Sequence, residues 1–190
     1  MYNKKLAIAV MVLMIVISIP FGGYRSLNKL YKEVNRTFYQ GVDGDGLGIE
    51  NDLNNRIDNS FNLVTIAKKA YYETEDEVIK NALDDAIKNT LSARESLVNS
   101  DTISEKYRAN LKLTEAVEEL YTALGNETLE LTEQDEKYRR SLYSNLTSRN
   151  DTISHDGYND KAAEFNNTLE EFPASLIGRV VGINKAELFR

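Results

Sequence analysis

The sequence LAIAVMVLMIVISIPF, residues 6–21, is an apolar run without a charged residue, and the rest of the chain is organised around it. As a helix this run is roughly 24 Å long, slightly shorter than the ~30 Å hydrocarbon core of a bilayer. Residues 22–24 extend the run and end on a tyrosine, a residue common at membrane interfaces. We therefore expect a transmembrane helix that contacts the lipid bilayer through residues 6–24, and an anchor domain of residues 1–24.

A cleaved secretory signal and a buried core helix are the alternatives for this run. Lys4 and Lys5 before a short apolar core fit a signal peptide, but Pro20 lies where small residues should precede the cleavage site. A lipid-modified cysteine is excluded, because the chain has no cysteine. We expect an uncleaved, single-pass anchor in the cell membrane.

The sequence contains opposing signals for the side of the membrane on which the body lies. Basic residues within 25–36 outnumber the two lysines before the run, which favours a cytoplasmic body. The order of charged start, short apolar core and long polar body is instead that of an exported signal-anchor. Since long domains cross largely regardless of charge, we expect the body outside the cytoplasm.

The body is acidic. Residues 1–24 contain two of the 23 basic residues and none of the 30 acidic ones, so the remainder has 21 basic and 30 acidic residues and a net charge of −9. Such a body is repelled by nucleic acid, and no nucleic-acid partner is expected.

The pattern after the anchor is that of an all-α protein. Prolines and glycines are few, and apolar residues recur every three or four positions. This periodicity predicts an elongated antiparallel bundle of about four helices, over approximately 49–72, 74–98, 103–124 and 129–172. The second helix carries a coiled-coil-like row, which consists of Ile79, Leu83, Ala86, Thr90, Ala93 and Leu97.

Local signals predict where these helices end. Thr74 and Glu77 match a capping box, and Gly125 matches a left-handed C-cap. In the longest helix the apolar stripe shifts beside Gly157, which predicts a bend there. The Phe172-Pro173 pair predicts its end, because the residue before a proline leaves the α region.

Residues 25–48 are predicted to form a juxtamembrane helix and a hinge, followed by a helical-bundle domain over residues 49–190. The hinge is GVDGDGLG, residues 41–48, whose four glycines disfavour a helix. The tail, residues 174–190, is too apolar to remain in water. We expect it to cover one end of the bundle or to dock to a membrane or a partner protein.

No catalytic, cofactor-binding or metal-binding residue is predicted. His155 is the one histidine, and cysteine ligands are absent. Asp43 and Asp45 resemble the start of a calcium loop, but Leu47 and Asn54 stand where further ligands are required.

Two sets of polar residues are candidates for contacts between helices or with a partner. Arg56, Asp58 and Asn62 do not share one helix face, so some of them should point toward a neighbouring helix or a partner. Asn159 and Asn166, seven residues apart, share a face, and we expect them to set the alignment between helices.

From Tyr158 the chain is YNDKAAEFNNTLEEFPASLIGRVVGINKAELF, which resembles the C-terminal signature of the LemA family. The matching elements are Tyr158-Asn159, Phe165-Asn166, Phe172-Pro173, Gly182-Ile183 and Phe189, together with Arg56, Asp58, Asn62-Leu63-Val64 and Ala93-Arg94. The chain departs from the family pattern at Phe61, where proline is common, and at Ile183, where phenylalanine is common. Residues 41–48 resemble an insertion.

The resemblance implies a single-span bacterial membrane protein with a helical-bundle body, and it brings no enzymatic activity. We expect a non-enzymatic scaffold or accessory factor at the cell envelope, bound to an envelope protein or to a second copy of itself. The alternative is a membrane-tethered sensor or ligand-binding module. In either case the sequence identifies no cofactor.

Overall fold

The computed structural model describes residues 4–190, apart from the side chains of residues 5, 15–17, 19 and 20. In this part of the chain the secondary structure is entirely helical, as predicted. The helices are α1 (Lys4–Gln40), α2 (Ile49–Glu73), α3 (Glu77–Val98), α4 (Ile103–Ala123), α5 (Glu133–Ser154), α6 (Tyr158–Glu170) and α7 (Ala174–Val181).

Helices α2 to α5 form an antiparallel four-helix bundle, which confirms the predicted body. Short loops join α2 to α3 and α3 to α4, and farther along these helices Arg94 donates to the Ile57 carbonyl and Thr90 to the Ala116 carbonyl, so consecutive helices run in opposite directions. Between α2 and α5, Lys69 pairs with Asp135 and Asp52 with Arg149, so these two helices are antiparallel as well. The whole predicted row of α3 is buried. On α2, however, Phe61 is exposed and stacks under the guanidinium of Arg94, which lies 5.2 Å from the ring centre.

Capping residues define several helix ends. Thr102 and Glu105 form a reciprocal capping box at the start of α4. At the start of α3 the N-cap is Asp76, whose carboxylate accepts from the amides of Val78 and Ile79; the prediction of Thr74 was wrong. An aspartate one residue before the helix satisfies these amides directly, so the threonine is not needed.

The predicted fourth helix is two helices. It breaks at residues 155–157, beside the predicted bend, and α6 ends just before Phe172-Pro173. Gly125 is not left-handed, since α4 ends in a right-handed C-cap at Leu124. An ideal Cβ at Gly125 would lie 3.2 Å from Arg139 Nη1, so close packing against α5 explains this glycine.

The second half of α1 packs against α6 and α7. The rings of Phe38 and Tyr158 are 5.3 Å apart, and those of Tyr31 and Phe165 are 5.7 Å apart. From the first pair to the second, the residue number falls by seven on α1 and rises by seven on α6. The two helices therefore run antiparallel. We call residues 22–40, α6, α7 and the segment after α7 the α1–α6–α7 assembly.

A glycine-rich loop, residues 41–48, links this assembly to the four-helix bundle. Three of its glycines have positive φ, and the Gly46 amide donates to the Gln40 carbonyl at 2.9 Å. An ideal Cβ at Gly157 would lie 3.1 Å from Val42, so this loop packs against the break between α5 and α6. The division at residue 48 and the hinge stay predictions, although the helix before the loop is packed against the body.

Among the described residues, no helix is long and apolar enough to cross a membrane. The predicted anchor over residues 6–24 contains residues 15–17, 19 and 20, whose side chains lie outside that description. Within it, the apolar side chains from Leu6 to Met14 and that of Phe21 are exposed.

Candidate functional site

The last eight residues form an extended segment, residues 183–190, which we call the C-terminal strap. Asn166 Nδ2 donates to the Ala186 carbonyl at 3.0 Å, and the Ala186 amide donates to Asn166 Oδ1 at 2.7 Å. Asn159 makes the same two bonds to Phe189, at 3.0 and 2.8 Å. Each asparagine therefore satisfies the backbone of one strap residue completely.

The spacing of these contacts follows from backbone geometry. Two residues seven apart on a helix are separated by roughly 10.5 Å along its axis. Three residues of an extended chain span about 10 Å. One helix face can therefore hold an extended segment at Asn159 and Asn166 without distortion of either partner.

Side chains fix the strap in register. Ala186 and Phe189 are buried, and the Phe189 ring lies 5.3 Å from that of Tyr107 and 6.0 Å from that of Phe38. The hydroxyl of Tyr158 donates to the Glu187 carbonyl at 2.6 Å. Burial raises the pKa of this phenol, so it keeps the proton that it donates.

The strap joins the two parts of the molecule. Besides its contacts with α6, it reaches α4, where the Ser104 amide donates to Glu187 Oε2 at 3.0 Å. The sequence predicted an alignment role for the two asparagines, but the predicted partner was wrong. They bind the backbone of the tail, and helical periodicity carries no signal for a partner in extended conformation.

A second polar site lies inside the four-helix bundle, around Arg56. Its Nη1 donates to the Leu146 carbonyl of α5 and its Nη2 to Thr114 Oγ1 of α4, both at 2.7 Å. Burial lowers the pKa of Arg56 to about 10, so the group remains a cation at neutral pH. The prediction that polar bonds fix the helix register is confirmed for Arg56.

The other two residues of this predicted set lie elsewhere. Asp58 and Asn62 are exposed on α2 and do not join Arg56. Thr114, whose hydroxyl accepts from Arg56 and donates to the backbone carbonyl of Asn110, was missed. Isolated polar residues inside an apolar row were the available signal, because a buried amide or hydroxyl needs a cross-helix partner.

Arg56 Nε has no hydrogen-bond partner among the residues that the structure describes. The nearby acids are engaged elsewhere: Asp52 accepts from Arg149 at 2.8 Å and Glu50 accepts from Lys106 at 3.1 Å. Arg56 therefore connects α2 to α4 and α5 by hydrogen bonds, which fix the register of the three helices.

Depressions on the surface are open and shallow. One of about 900 Å³ lies beside the start of α5 and includes Lys69 and Asp135, whose charged atoms are 2.5 Å apart. Another of about 260 Å³ lies between α1 and α6 and includes Val34 and Phe165. In the first, the Thr132 hydroxyl donates to the Asp135 carboxylate at 2.6 Å as part of the cap of α5, and Asp135 is also paired with Lys69.

His155, the one histidine, is exposed at the break between α5 and α6. Its Nδ1 lies 2.9 Å from the Asp151 carbonyl and 3.1 Å from Ser154 Oγ, both in the same turn. Within residues 4–190 as described, no three acidic or histidine side chains converge on a point that could hold a metal ion. That the chain lacks catalytic, cofactor-binding and metal-binding residues stays a prediction.

A protein-family model matches most of the chain. The family model described as LemA family covers residues 47–190, which include α2 to α7 and the C-terminal strap. No curated protein matches the chain. The matched range begins within the glycine-rich loop, so it excludes α1.

Proposed function

Because this chain belongs to the LemA family, we propose that it is a membrane-tethered helical bundle that acts through protein contacts at the bacterial cell envelope. In this proposal residues 6–24 lie in the bilayer and the bundle is a non-enzymatic scaffold or accessory factor. Its partner is an envelope protein or a second copy of the chain.

One observation supports the proposal that α1 anchors the body in the membrane. Helix α1 continues without interruption from the exposed apolar residues 6–14 to Leu27, Val34 and Phe38, which are buried in the body. Phe38 is 0% exposed. Exposed apolar side chains around a helix favour a lipid environment, and here the helix that bears them is packed into the fold.

The flank of the apolar run supports placement at a membrane surface. Tyr24, Arg25, Lys29 and Lys32 are exposed on α1 directly after the run. Tyrosine and basic side chains bind the head-group region, where their apolar stems and polar ends are both accommodated. We place the body on the outer side, following the signal-anchor order of the sequence.

The scaffold role is tested by site-specific photo-cross-linking of the full chain in its native membrane. Reactive groups replace Tyr72 or Val78 at the α2–α3 end of the bundle, where both side chains are exposed, and Leu111 on α4. We expect either the variants at the α2–α3 end or the variant on α4 to give a strong cross-linked product, and the other set to give little. A specific contact covers one surface of the bundle and leaves the other free. Uniform, weak cross-linking from every position would contradict a scaffold.

The alternative function, a membrane-tethered sensor or ligand-binding module, is tested by a thermal-shift screen of the same chain. A small ligand that raises the melting temperature in proportion to its concentration would favour the sensor and count against the scaffold. We expect no such ligand among envelope metabolites and ions.

A further inference from the structure

Helix α7 has a wider apolar surface than the body covers. Ala174 and Ile177 are partly buried and pack against the core, where Ile177 meets Gly23 of α1. Val181 is partly buried. Leu176 and Val180, one turn apart, are 58% and 68% exposed, and Phe172 just before the helix is 83% exposed. A face of this kind in a stable fold marks a contact with something other than water.

The polar residues of α7 lie on a separate arc. Ser175 and Arg179 are four positions apart and follow each other along one side of the helix. Leu176 and Val180 therefore lie between this polar arc and the face that packs on the body. That order is typical of a helix that lies along an interface between an apolar and an aqueous phase.

The position of α7 identifies the apolar phase. An ideal Cβ at Gly23 would lie 2.7 Å from Ile177 Cδ1, so α7 touches α1 at the C-terminal limit of the predicted span. Phe21, two residues earlier, is exposed as well. The exposed face of α7 and the exposed apolar half of α1 thus lie at the same end of the body.

We propose that α7 is a second membrane contact, which lies in the lipid–water interface with Phe172, Leu176 and Val180 among the acyl chains. This inference rests on the proposed tether, because the bilayer is placed beside α7 by α1. Arg179 then lies at head-group depth together with the basic flank of α1.

The fold holds α7 in this orientation. Gly178 packs against Leu169, with 3.2 Å between an ideal Cβ and that side chain, and the left-handed Gly182 (φ 71°) turns the chain from α7 into the strap. Since the strap is fixed by Asn159 and Asn166, α7 cannot rotate independently of the body. A helix held in this way adds a second contact to that of α1, and two contacts together define the orientation of the bundle on the membrane.

The natural absence of cysteine makes a direct test possible. Single variants Leu176→Cys, Val180→Cys, Leu13→Cys and Val78→Cys of the full chain are labelled with an environment-sensitive fluorophore. They are then reconstituted in vesicles of phosphatidylethanolamine and phosphatidylglycerol. Val78 is the matched control, since it is an exposed valine at the start of α3 in the four-helix bundle. Quenching by iodide from water and by nitroxide-labelled lipid reports the depth of each label.

We expect the labels at 176 and 180 to be quenched by shallow nitroxide lipids and shielded from iodide, and the label at 78 to show the reverse. If position 13 reports lipid while 176 and 180 report water, the α7 inference is wrong and the tether stands. If position 13 reports water, the tether fails and the inference fails with it. Efficient disulfide cross-linking between two copies of the unlabelled Leu176→Cys variant would instead assign this face to a second copy and overturn the proposal.

Discussion

The four-helix bundle and the α1–α6–α7 assembly are stabilised in different ways. In the bundle, Leu83, Leu113 and Leu120 are fully buried, as expected of apolar rows on neighbouring helices. In the assembly, aromatic rings contact in pairs, and the backbone of the last residues is held by asparagine side chains. The core of the four-helix bundle is a regular apolar seam. The packing of the α1–α6–α7 assembly depends instead on contacts between residues distant in sequence.

This difference has a consequence for the outer surface of each part. The bundle exposes mainly charged faces, and its ion pairs include Lys88–Asp84 and Arg140–Glu136. The assembly exposes Phe172, Leu176 and Val180 beside α1. The bundle exposes apolar side chains as well, among them Tyr72, Val78 and Leu111, but those of the assembly adjoin the exposed apolar half of α1. We expect the strap to maintain this surface of the assembly in position.

The largest effect is expected from Phe189→Ala, which removes the aromatic side chain that fills the space between Phe38 and Tyr107. Loss of this buried ring should lower the free energy of unfolding by about 3–5 kcal/mol. Urea denaturation followed by circular dichroism measures the loss. Hydrogen exchange should show lost protection in α6 and α7 first, since the strap contacts these elements.

The matched control is Leu188→Ala, on the neighbouring, partly exposed residue, which should have a smaller effect. A second comparison is Leu113→Ala in α4, which should reduce protection in the four-helix bundle instead. If Phe189→Ala and Leu113→Ala expose the same amides to the same degree, the two parts unfold as one unit and the contrast between them is wrong.

The two parts also differ in how much the sequence predicts. The first three helices of the bundle were predicted within a few residues, because residues such as Ile79, Leu83 and Leu97 repeat with a period that matches the helix. The fourth was predicted to extend to residue 172 but ends at Ser154. The strap was predicted only as part of an apolar tail, residues 174–190, that covers one end of the bundle or docks to a membrane or a partner protein. Its contacts pair Asn159 and Asn166 with residues 20 to 30 positions away in an extended chain, and no periodicity encodes such a pairing.

Other errors have local physical causes. The break at residues 155–157 was predicted only as a bend, because a five-residue step in the apolar stripe is compatible with either. The spacing of Ile57, Phe61 and Val64 predicts that Phe61 lies on the buried face of α2, but its ring is exposed and stacks on the guanidinium of Arg94. Arg56 was identified as a polar contact, while its acceptors, a carbonyl and a hydroxyl, were not predictable from spacing.

A smaller effect is expected from Asn166→Ala, which removes both bonds to the Ala186 backbone. Leaving a partly buried amide and carbonyl without partners should lower the free energy of unfolding by about 1–3 kcal/mol. Faster hydrogen exchange at the Ala186 amide, measured by NMR, reports the local effect. Asn167→Ala, at the exposed adjacent position, is the control and should leave that amide protected. Equal exchange in both variants would show that the asparagine contact does not hold the strap.

The smallest effect concerns acid stability and should appear in the four-helix bundle. Hydrogen bonds from Arg139 and Arg140 lower the pKa of Glu136 to about 2, from an unfolded value near 4.5. A lowered pKa contributes stability above the unfolded value, and this contribution is lost as the pH falls from about 4.5 to about 2. For a partly exposed pair we expect about 1 kcal/mol or less.

Glu136→Gln should remove this part of the pH dependence, measured as the urea midpoint at a series of pH values between 2 and 7. A variant whose urea midpoint falls with acid as steeply as that of the natural chain would assign the pH dependence to other carboxylates.

The central claim, that α1 anchors the body in a membrane, is tested most directly by fractionation of bacteria that express the full chain, with an alkaline carbonate wash. We expect the uncleaved chain to remain in the washed membrane pellet. The variant Val10→Arg/Leu13→Arg should be released, since each arginine at the centre of a span costs about 2.5–3.5 kcal/mol. Recovery of the intact natural chain in the aqueous fraction, without detergent, would contradict the account.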